Sequence, residues 1–416
     1  MNVVFLEASS GSVVGGSLTG MLELLRGIDR SRISPAVVLY EHKPCVTNLE
    51  AAGIHVSVFG KRRLPKEHAL QQKKAYSRAK QRGSVASVLR FFRTTATFLV
   101  ETLPAALRLR RTLAALHPDL VYVCNGFRGN AEAIVAARLL GVPCVVHSKG
   151  FDKFSWVERM LSRSVAGCVS MTRAIEDHCI AGAMSPGFFE VVYDGLDLAN
   201  FQPRRDAGQV RAELGIPEDA EVAGVVGNLQ EWKGQHVLVE AMDLLQKARP
   251  RLVALLVGGV HRSGAAYADS LKALAAARGL QSRVLFTGAR PDVPDLMNAM
   301  DIVVHSSVRG EPFGRVIIEG MAIGKPVVAT RAGGVPEFVN DGEDAVLVAP
   351  GDAAALATCL DRLLDDASER GRLALAARES AERFALPKHV AAMTAVFERA
   401  VEGRRDDARG SVREAA

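Results

Sequence analysis

The sequence predicts an α/β protein with two Rossmann-like domains, each built on a parallel sheet that is wrapped by helices. The chain has 416 residues, which exceeds one ordinary core and favours about two domains. Its 48 % hydrophobic and 24 % charged residues are typical of a globular protein. Short β-branched runs alternate with longer helical patterns almost throughout, as parallel sheets require. We expect the two sheets to face each other across a cleft, because open parallel sheets bind ligands beyond the carboxyl ends of their strands.

Each half of the chain contains enough short apolar runs for its own sheet. Runs of three to six residues, bounded by polar or glycine-containing segments, predict buried strands. In the first half they fall at residues 3–7, 36–40, 55–59, 120–124, 144–147, 167–170 and 189–192. In the second half they fall at residues 222–226, 252–257, 284–286, 302–305, 327–329 and 345–348.

The polar, loop-like residues 195–206 mark the boundary between the two halves. We therefore predict an N-terminal domain over residues 1–198 and a C-terminal domain over residues 199–385. A C-terminal helix is expected over residues 386–402, with room to cross back to the N-terminal domain, and a flexible tail over residues 403–416. Residues 61–81 lack clear periodicity and suit a flexible insertion.

The net charge of +6 is unevenly distributed. The basic segment, residues 61–111, contains fourteen Lys and Arg against two acids, Glu67 and Glu101, a local balance of +12. A solvated loop and helix face is one interpretation. A patch for anionic membrane lipid or for a phosphate-bearing acceptor is the other, and apolar residues interleaved with the charge suit a membrane interface. Nucleic acid is not expected, because no reading motif accompanies the charge.

The strongest chemical signal follows the predicted strand at residues 302–305. A loop of small residues leads into the sequence EPFG at residues 311–314 and then into a helix, whose free N–H groups and positive dipole end suit an anion. Glu311 and Glu319 are eight residues apart, about two helical turns, so they lie on one side of that helix. Two carboxylates beside an anion site suit a ligand with hydroxyls at both ends and phosphates between them, as in a nucleotide sugar.

This segment resembles the donor-binding signature of the retaining glycosyltransferases of family 4, which have the GT-B fold. Their Glu-x7-Glu motif is matched by EPFGRVIIE at residues 311–319, and their AGG-x-x-E stretch by residues 332–337. The resemblance is strong over residues 222–351 and looser in the N-terminal half. It implies that Glu311 contacts the donor sugar, that the residues after it hydrogen-bond the sugar through their backbone, and that Glu319 holds the ribose hydroxyls. The residues with the backbone role are Phe313, Gly314, Arg315 and Val316.

The resemblance also implies a cationic loop after the first strand of the C-terminal domain, usually Gly-Arg followed by Lys-Gly. The matching loop is GNLQEWKG at residues 227–234, in which Lys233 corresponds to the phosphate-binding lysine. Asn228 stands where the family usually has arginine. An amide can donate to a phosphate oxygen but brings no charge and no bidentate fork. Stabilisation of the leaving group would then depend on Lys233 and helix dipoles, or on a relocated cation such as Arg290 or Arg315.

In the N-terminal half, the turn after the first predicted strand resembles the glycine-rich turn of the family. Gly15, Gly16 and Ser17 lie in this turn, where glycine lets the backbone approach the donor diphosphate or the acceptor. A plain strand-to-helix turn is the alternative for any one of these glycines.

His147 ends a predicted strand at the edge of the sheet where ligands are expected. A lone histidine there can be a satisfied core residue. The family often has a histidine at this strand end, which implies an active-site role beside the donor sugar. Asn125 and Gly126, after the preceding strand, are weaker candidates for acceptor contact.

The resemblance implies a retaining glycosyltransferase of the hexosyltransferase type that uses a nucleotide-diphosphate sugar, with His147, Glu311 and Lys233 as the catalytic set. The acceptor is unknown; a polysaccharide, a lipid-linked sugar or another glycoconjugate intermediate is the candidate class. No Asp-x-Asp motif or metal-spaced cluster is present, so we expect a metal-independent reaction without a cofactor. A nucleotide-sugar epimerase and, because of Asn228, a non-catalytic GT-B-like binding protein are the alternatives.

The expected location is the cytoplasm, with an optional peripheral position on the inner face of the membrane. The six cysteines are scattered and form no Cys-x-x-Cys pair, which favours a reduced compartment. The N-terminus has no basic lead before its short apolar run, so we expect a first buried strand and not a signal peptide. No apolar stretch approaches the ~20 residues of a membrane-spanning helix.

Overall fold

A computed structural model of the chain describes residues 1–8, 16–60, 83–261 and 264–414. These residues form two compact units, which are described separately below. The first unit lies within residues 1–192 and continues from residue 390 onward, and the second unit is Tyr193–His389. Among the described residues, no helix combines the length and the apolar composition that crossing a membrane requires.

The first unit is built on a parallel sheet with the strand order β3-β2-β1-β4-β5-β6-β7. Strand β1 is central because its residues pair with β2 on one side and with β4 on the other, as Val4 does with Ala36 and Val121. Continuous apolar runs suit strands that are covered on both faces. The strands are β1 (Asn2–Glu7), β2 (Ser34–Leu39), β3 (His55–Val58), β4 (Leu120–Val123), β5 (Cys144–Ser148), β6 (Gly167–Ser170) and β7 (Phe189–Val191).

The strands of the first unit are connected by helices. These helices are α1 (Gly16–Gly27), α2 (Val46–Ala51), α3 (Gly83–Thr97), α4 (Leu103–Ala115), α5 (Ala131–Leu140), α6 (Trp156–Ser162) and α7 (Arg173–Ala181). A single π turn, Phe98–Thr102, joins α3 to α4. The predicted flexible insertion at residues 61–81 lies outside the described residues.

The second unit repeats this architecture with the strand order β10-β9-β8-β11-β12-β13. Its strands are β8 (Glu221–Val226), β9 (Leu252–Val257), β10 (Val284–Gly288), β11 (Ile302–His305), β12 (Val327–Thr330) and β13 (Val346–Val348). Its helices are α8 (Ala207–Glu213), α9 (Gln235–Leu244), α10 (Ala265–Ala277), α11 (Val293–Asn298), α12 (Arg315–Ala322), α13 (Ala353–Asp365) and α14 (Ala367–Ala381). The predicted α/β class with two Rossmann-like parallel sheets is confirmed.

The chain ends in helix α15 (Leu386–Glu414), which continues past residue 403, where we expected a flexible tail. No proline interrupts this part of the sequence, and most of its residues favour helix. Within the first unit, Phe397 of α15 packs edge-on against Phe5 and Tyr122, with ring centroids 6.0 and 5.1 Å apart. The aromatic contacts attach α15 to the central strands β1 and β4.

The division between the units lies at residues 192 and 193, and not at residues 198 and 199 as the sequence suggested. The turn that follows β7 is bound to the second unit. Arg315 donates a hydrogen bond to the carbonyl of Gly195 (3.1 Å), and Nδ1 of His389 lies 2.7 Å from the carbonyl oxygen of Tyr193. These bonds explain why residues 193–198 belong to the second unit.

Candidate functional site

The centre of the candidate site in the second unit is the buried carboxylate of Glu311, which is 5 % exposed. Three donors converge on its Oε2 atom: Nζ of Lys233 at 2.8 Å, Oγ of Ser307 at 2.7 Å and Nε2 of His305 at 3.1 Å. Thr330 Oγ1 lies 3.3 Å from the other ring nitrogen of His305. Within the described part of the chain, no hydrogen bond ends on Oε1 of Glu311.

These donors keep Glu311 ionised. Burial alone would raise the pKa of this carboxyl, but the hydrogen bond from His305 and the positive charge of Lys233 lower it to about 2. The Lys233 side chain is 22 % exposed, and its ammonium lies 4.1 Å from the centre of the Trp232 ring. The pair is thus a fixed negative group next to a cation that solvent can reach.

Two glycines let the loops of this site approach one another closely. Gly234, with φ +67°, lies against the loop after β11, and a Cβ atom there would come within 1.9 Å of the Ser306 carbonyl oxygen. Gly333, with φ +64°, lies against Glu311, and a Cβ atom there would come within 2.1 Å of the Glu311 carbonyl oxygen. Only glycine combines this conformation with this contact. The GNLQEWKG loop, the EPFG loop and the AGG stretch therefore meet at one sheet edge.

The backbone of the EPFG loop is supported by an aromatic cluster. The Phe313 side chain is 1 % exposed and lies 4.9 Å from the ring of Phe338 and 6.0 Å, nearly parallel, from the ring of Tyr193. Gly314 then adopts φ +87° and begins helix α12, in which Val316 is buried. The side chains of Phe313 and Val316 thus anchor the loop. The hydrogen bonds that we predicted between the backbone of these residues and a sugar stay a prediction.

Glu319 lies one turn further along α12 and is paired within the helix. Its Oε1 atom lies 3.6 Å from Nε of Arg315, and its side chain is 16 % exposed. Burial raises the pKa of Glu319, and the positive charges of Arg315 and Lys233 oppose that rise. The charge of Lys233 therefore acts on the carboxylates of both Glu311 and Glu319.

Arg290 does not supply the second cation that the sequence predicted for the phosphate site. Arg290 forms a two-point ion pair with Asp292 (2.8 and 2.7 Å) and a further contact with Glu213 at 2.9 Å. Its charge is already matched by these carboxylates, so Arg290 does not fit the role of a relocated phosphate-binding cation. Arg315 is also engaged: it forms an ion pair with Glu319 and donates a hydrogen bond to the Gly195 carbonyl oxygen.

Asn228 lies in the loop after β8, and its backbone is fixed by Gln235, the first residue of α9. The Gln235 amide donates to the Asn228 carbonyl oxygen at 3.1 Å, and the Gln235 side chain is fully buried. This bond aligns the loop with the N-terminus of α9, where free N–H groups favour an anion. The predicted donor contact of the Asn228 side chain stays a prediction.

In the first unit, His147 is buried in strand β5, with 1 % of its surface exposed. The hydroxyl of Tyr122, on the neighbouring strand β4, lies 2.5 Å from Nδ1 of His147. This contact fixes the orientation of the ring, as expected both of a core histidine and of a positioned active-site histidine.

The glycine-rich turn of the first unit lies only partly within the described residues, since Gly15 is outside them. Gly16 begins helix α1, and Oγ of Ser17 donates to Oε2 of Glu7 at 2.8 Å. Asn125 donates to the other carboxylate oxygen of Glu7 at 3.2 Å. Glu7 itself, fully buried at the carboxyl end of β1, is a residue that the sequence analysis did not single out.

Sequence reasoning also missed His305 and Ser307, two of the three donors to Glu311. A signal was present, because His305 ends an otherwise apolar strand and two serines follow it before the EPFG loop. Among the described residues, no group of three or more His, Cys, Asp and Glu side chains is arranged to hold a metal ion.

Comparison with known proteins bears on the family of the chain. The profile of the glycosyl transferases group 1 matches residues 206–380, and that of glycosyltransferase family 4 matches residues 45–200. A D-inositol 3-phosphate glycosyltransferase of Corynebacterium kroppenstedtii is 36 % identical over 222 residues, 52 % of this chain and 49 % of its own. The chain thus spans about half the length of the first curated relatives that it matches.

A longer match and a solved structure extend this similarity. D-inositol 3-phosphate glycosyltransferase 1 of Catenulispora acidiphila is 34 % identical over 311 residues, 69 % of this chain and 73 % of its own. The crystal structure of Anabaena Alr3699/HepE in complex with UDP and glucose is 26 % identical, covers 96 % of this chain and 99 % of its own, and has a TM-score of 0.77. The same Anabaena protein has also been solved with UDP-glucose. Because both family profiles match and a relative above 30 % identity spans most of both sequences, the chain belongs to glycosyltransferase family 4.

Proposed function

We propose that the chain transfers a hexose from a UDP-sugar to a glycoconjugate acceptor with retention of the anomeric configuration. Membership of the family and similarity to a protein solved with UDP and with UDP-glucose support this proposal. The names of the curated relatives add inositol 3-phosphate to the candidate acceptors. The donor is assigned to the second unit, which contains the EPFG loop and Lys233.

The observation that carries the proposal is the state of the Glu311 carboxylate. Lys233, His305 and Ser307 bind one oxygen and keep the group ionised, which leaves Oε1 to accept a hydrogen bond from a sugar hydroxyl. A charged acceptor in a buried site forms strong hydrogen bonds. Glu311 would orient the sugar and stabilise the positive character that develops on it as the bond to the diphosphate breaks.

Lys233 would act on the other side of the breaking bond. The Lys233 side chain is partly exposed, and the residue directly precedes Gly234 and the N-terminus of α9. The free N–H groups at that N-terminus favour a diphosphate. With Asn228 in the place of arginine, Lys233 and the helix ends would supply most of the stabilisation of the leaving group. Glu319 would accept hydrogen bonds from the ribose hydroxyls. His147, whose ring is positioned by Tyr122, is the proposed catalytic histidine of the first unit.

The test begins with binding and then follows turnover. UDP should raise the melting temperature of the protein, because ligands that bind only the native state stabilise it. UDP-glucose and other nucleotide sugars are then incubated with candidate acceptors, with and without EDTA, and UDP release and the anomeric configuration of the product are measured. Retention without loss of rate in EDTA is expected.

Three other results would contradict the proposal in different ways. Stereochemical change of the donor sugar without an acceptor would identify an epimerase. UDP binding without turnover on any acceptor would favour a non-catalytic binding protein. Absence of UDP binding would exclude a UDP-sugar as the donor.

We further infer that the helices α3 and α4 hold the enzyme at the cytoplasmic face of an anionic membrane. Phe92, Leu99 and Val100 are 64 %, 55 % and 69 % exposed, and no residue between 91 and 104 is buried. Exposed arginines accompany them, at positions 93, 110 and 111. Exposed apolar side chains flanked by arginines match the lipid interior and the anionic headgroups of a bilayer.

Co-sedimentation with vesicles tests the membrane surface independently of activity. Wild-type protein should sediment with phosphatidylglycerol vesicles, less at high salt, and not with phosphatidylcholine vesicles. Phe92→Ser/Val100→Ser should lose this binding. Leu375→Ser is the control, because Leu375 is equally exposed (64 %) on a helix of the second unit. Equal binding by the two variants would contradict the assignment.

A further inference from the structure

A groove of about 610 Å³ crosses the amino edge of the sheet in the first unit. Its walls are the loops that precede β5, β6 and β7, together with one face of α15. Glu7, Ser17 and Asn125 lie at the opposite, carboxyl edge of the same sheet. The groove is therefore separate from the residues that the proposed transfer reaction uses in this unit.

Three arginines from three different helical segments line this groove: Arg138 in α5, Arg163 directly after α6, and Arg399 in α15. Arg399 is fixed by two contacts, a 3.2 Å ion pair with Glu190 and a 4.1 Å stacking contact on the Phe188 ring. In the described part of the chain, Arg138 and Arg163 form no ion pair. Among the described residues, the charges of Arg138 and Arg163 are thus not matched by ion pairs.

Each arginine taken singly has an ordinary explanation, because cations are favourable near the C-terminal ends of helices. Arg138 and Arg163 both occupy such ends, in α5 and after α6. Helix dipoles do not explain why both lie on the same concave surface as Arg399. Nor do they explain a concave surface of this size, which is in the range of small-molecule sites.

The remaining walls suit the organic part of a ligand. Phe188, Val142 and Pro143 contribute apolar surface. The loop before β7 packs tightly on the loop before β6, since a Cβ atom at Gly187 would come within 2.6 Å of the Ala166 carbonyl oxygen. Closely packed backbone therefore forms part of the groove wall.

We propose that this groove binds an organic phosphate, with the phosphate held by Arg138 and Arg163 and the organic part lying against Val142 and Pro143. Guanidinium groups bind phosphate oxygens with paired, charge-assisted hydrogen bonds. The site would give the enzyme a second anion-binding position besides the donor site. Its occupant could be a free sugar phosphate or the phosphate of a larger glycoconjugate, which share this chemistry.

Calorimetric titration with glucose 1-phosphate tests the site, with glucose as the neutral comparison. The titration is made in a Lys233→Ala background, so that the donor site contributes as little as possible. Arg138→Ala/Arg163→Ala should weaken glucose 1-phosphate binding at least about tenfold, as the loss of charge-assisted bonds implies. Arg26→Ala/Arg30→Ala removes the same charge from exposed positions within and just after α1, outside the groove, and should leave binding unchanged.

Hydrogen exchange in the wild-type protein provides a second measurement. Glucose 1-phosphate should slow amide exchange at residues 141, 142 and 164–166, while a lipid-linked sugar phosphate in detergent should protect the same residues more strongly only if the phosphate of a larger glycoconjugate is the occupant. The proposal is overturned if glucose 1-phosphate does not bind, or if the Arg138→Ala/Arg163→Ala substitution leaves its affinity unchanged.

Discussion

The ammonium group of Lys233 lies 2.8 Å from Oε2 of Glu311, and the two residues come from loops 78 positions apart in the sequence. The ion pair joins the loop after β8 to the loop after β11. It combines the cation proposed for the diphosphate with the carboxylate proposed for the sugar. The first two predictions concern this pair.

Lys233→Ala should weaken UDP binding by at least about tenfold, because the phosphates lose their charged donor. It should also lower the melting temperature, since Glu311 keeps its buried charge but loses a partner. Calorimetry measures the affinity, and Lys247→Ala, which removes an exposed lysine of the same unit, is the control. An unchanged affinity of Lys233→Ala for UDP would show that Lys233 does not bind the phosphates.

Glu311 should make the second unit sensitive to acid. Its pKa is about 2 in the folded protein, below the ordinary value of 4.5, so its ionised form stabilises the fold above pH 4.5. That stabilisation, on the order of 3 kcal/mol, should be lost as the pH falls from about 5 towards 2. Urea unfolding at several pH values measures it. Glu311→Gln should reduce this pH dependence, and the exposed Glu218→Gln should not.

Arg315 should keep Glu319 ionised for ribose binding. Burial raises the pKa of Glu319 and Arg315 opposes it, so Arg315→Met should raise that pKa further. UDP affinity of this variant should then fall more steeply than that of the wild type as the pH is lowered from 8.5 to 5.5. Arg315→Lys retains the charge and should behave more like the wild type. Parallel pH profiles for all three proteins would refute the role of Arg315.

Gly234→Ala should destabilise the protein more than Gly279→Ala, although both glycines have nearly the same φ, +67° and +66°. A Cβ atom at Gly279 meets nothing within 4 Å, so this variant measures backbone strain alone, about 1–2 kcal/mol. At Gly234 the new atom would collide with the Ser306 carbonyl oxygen. Chemical denaturation measures the free energy of unfolding of both variants. Equal losses of stability would show that the contact between Gly234 and the Ser306 carbonyl adjusts to a Cβ atom at little cost.

The strands of this protein follow from local sequence. Residues 252–257 and 302–305 are continuous apolar runs between polar segments, and both form strands with the predicted bounds. Burial of a strand on both faces requires such a run, so the pattern is visible without tertiary information. The EPFG motif and the GNLQEWKG loop were likewise recognisable from the residue order alone.

Only the tertiary structure decided which side chains meet. The convergence of Lys233, His305 and Ser307 on one oxygen of Glu311, and the engagement of Arg290 by Glu213, join residues that the sequence separates by up to 78 positions. Residue order specifies which segments become strands, helices and loops, because burial and backbone preference act locally. Which charged side chains pair with each other depends on which loops lie at the same edge of the sheet. The strand order decides this, and the strand order is a property of the folded chain.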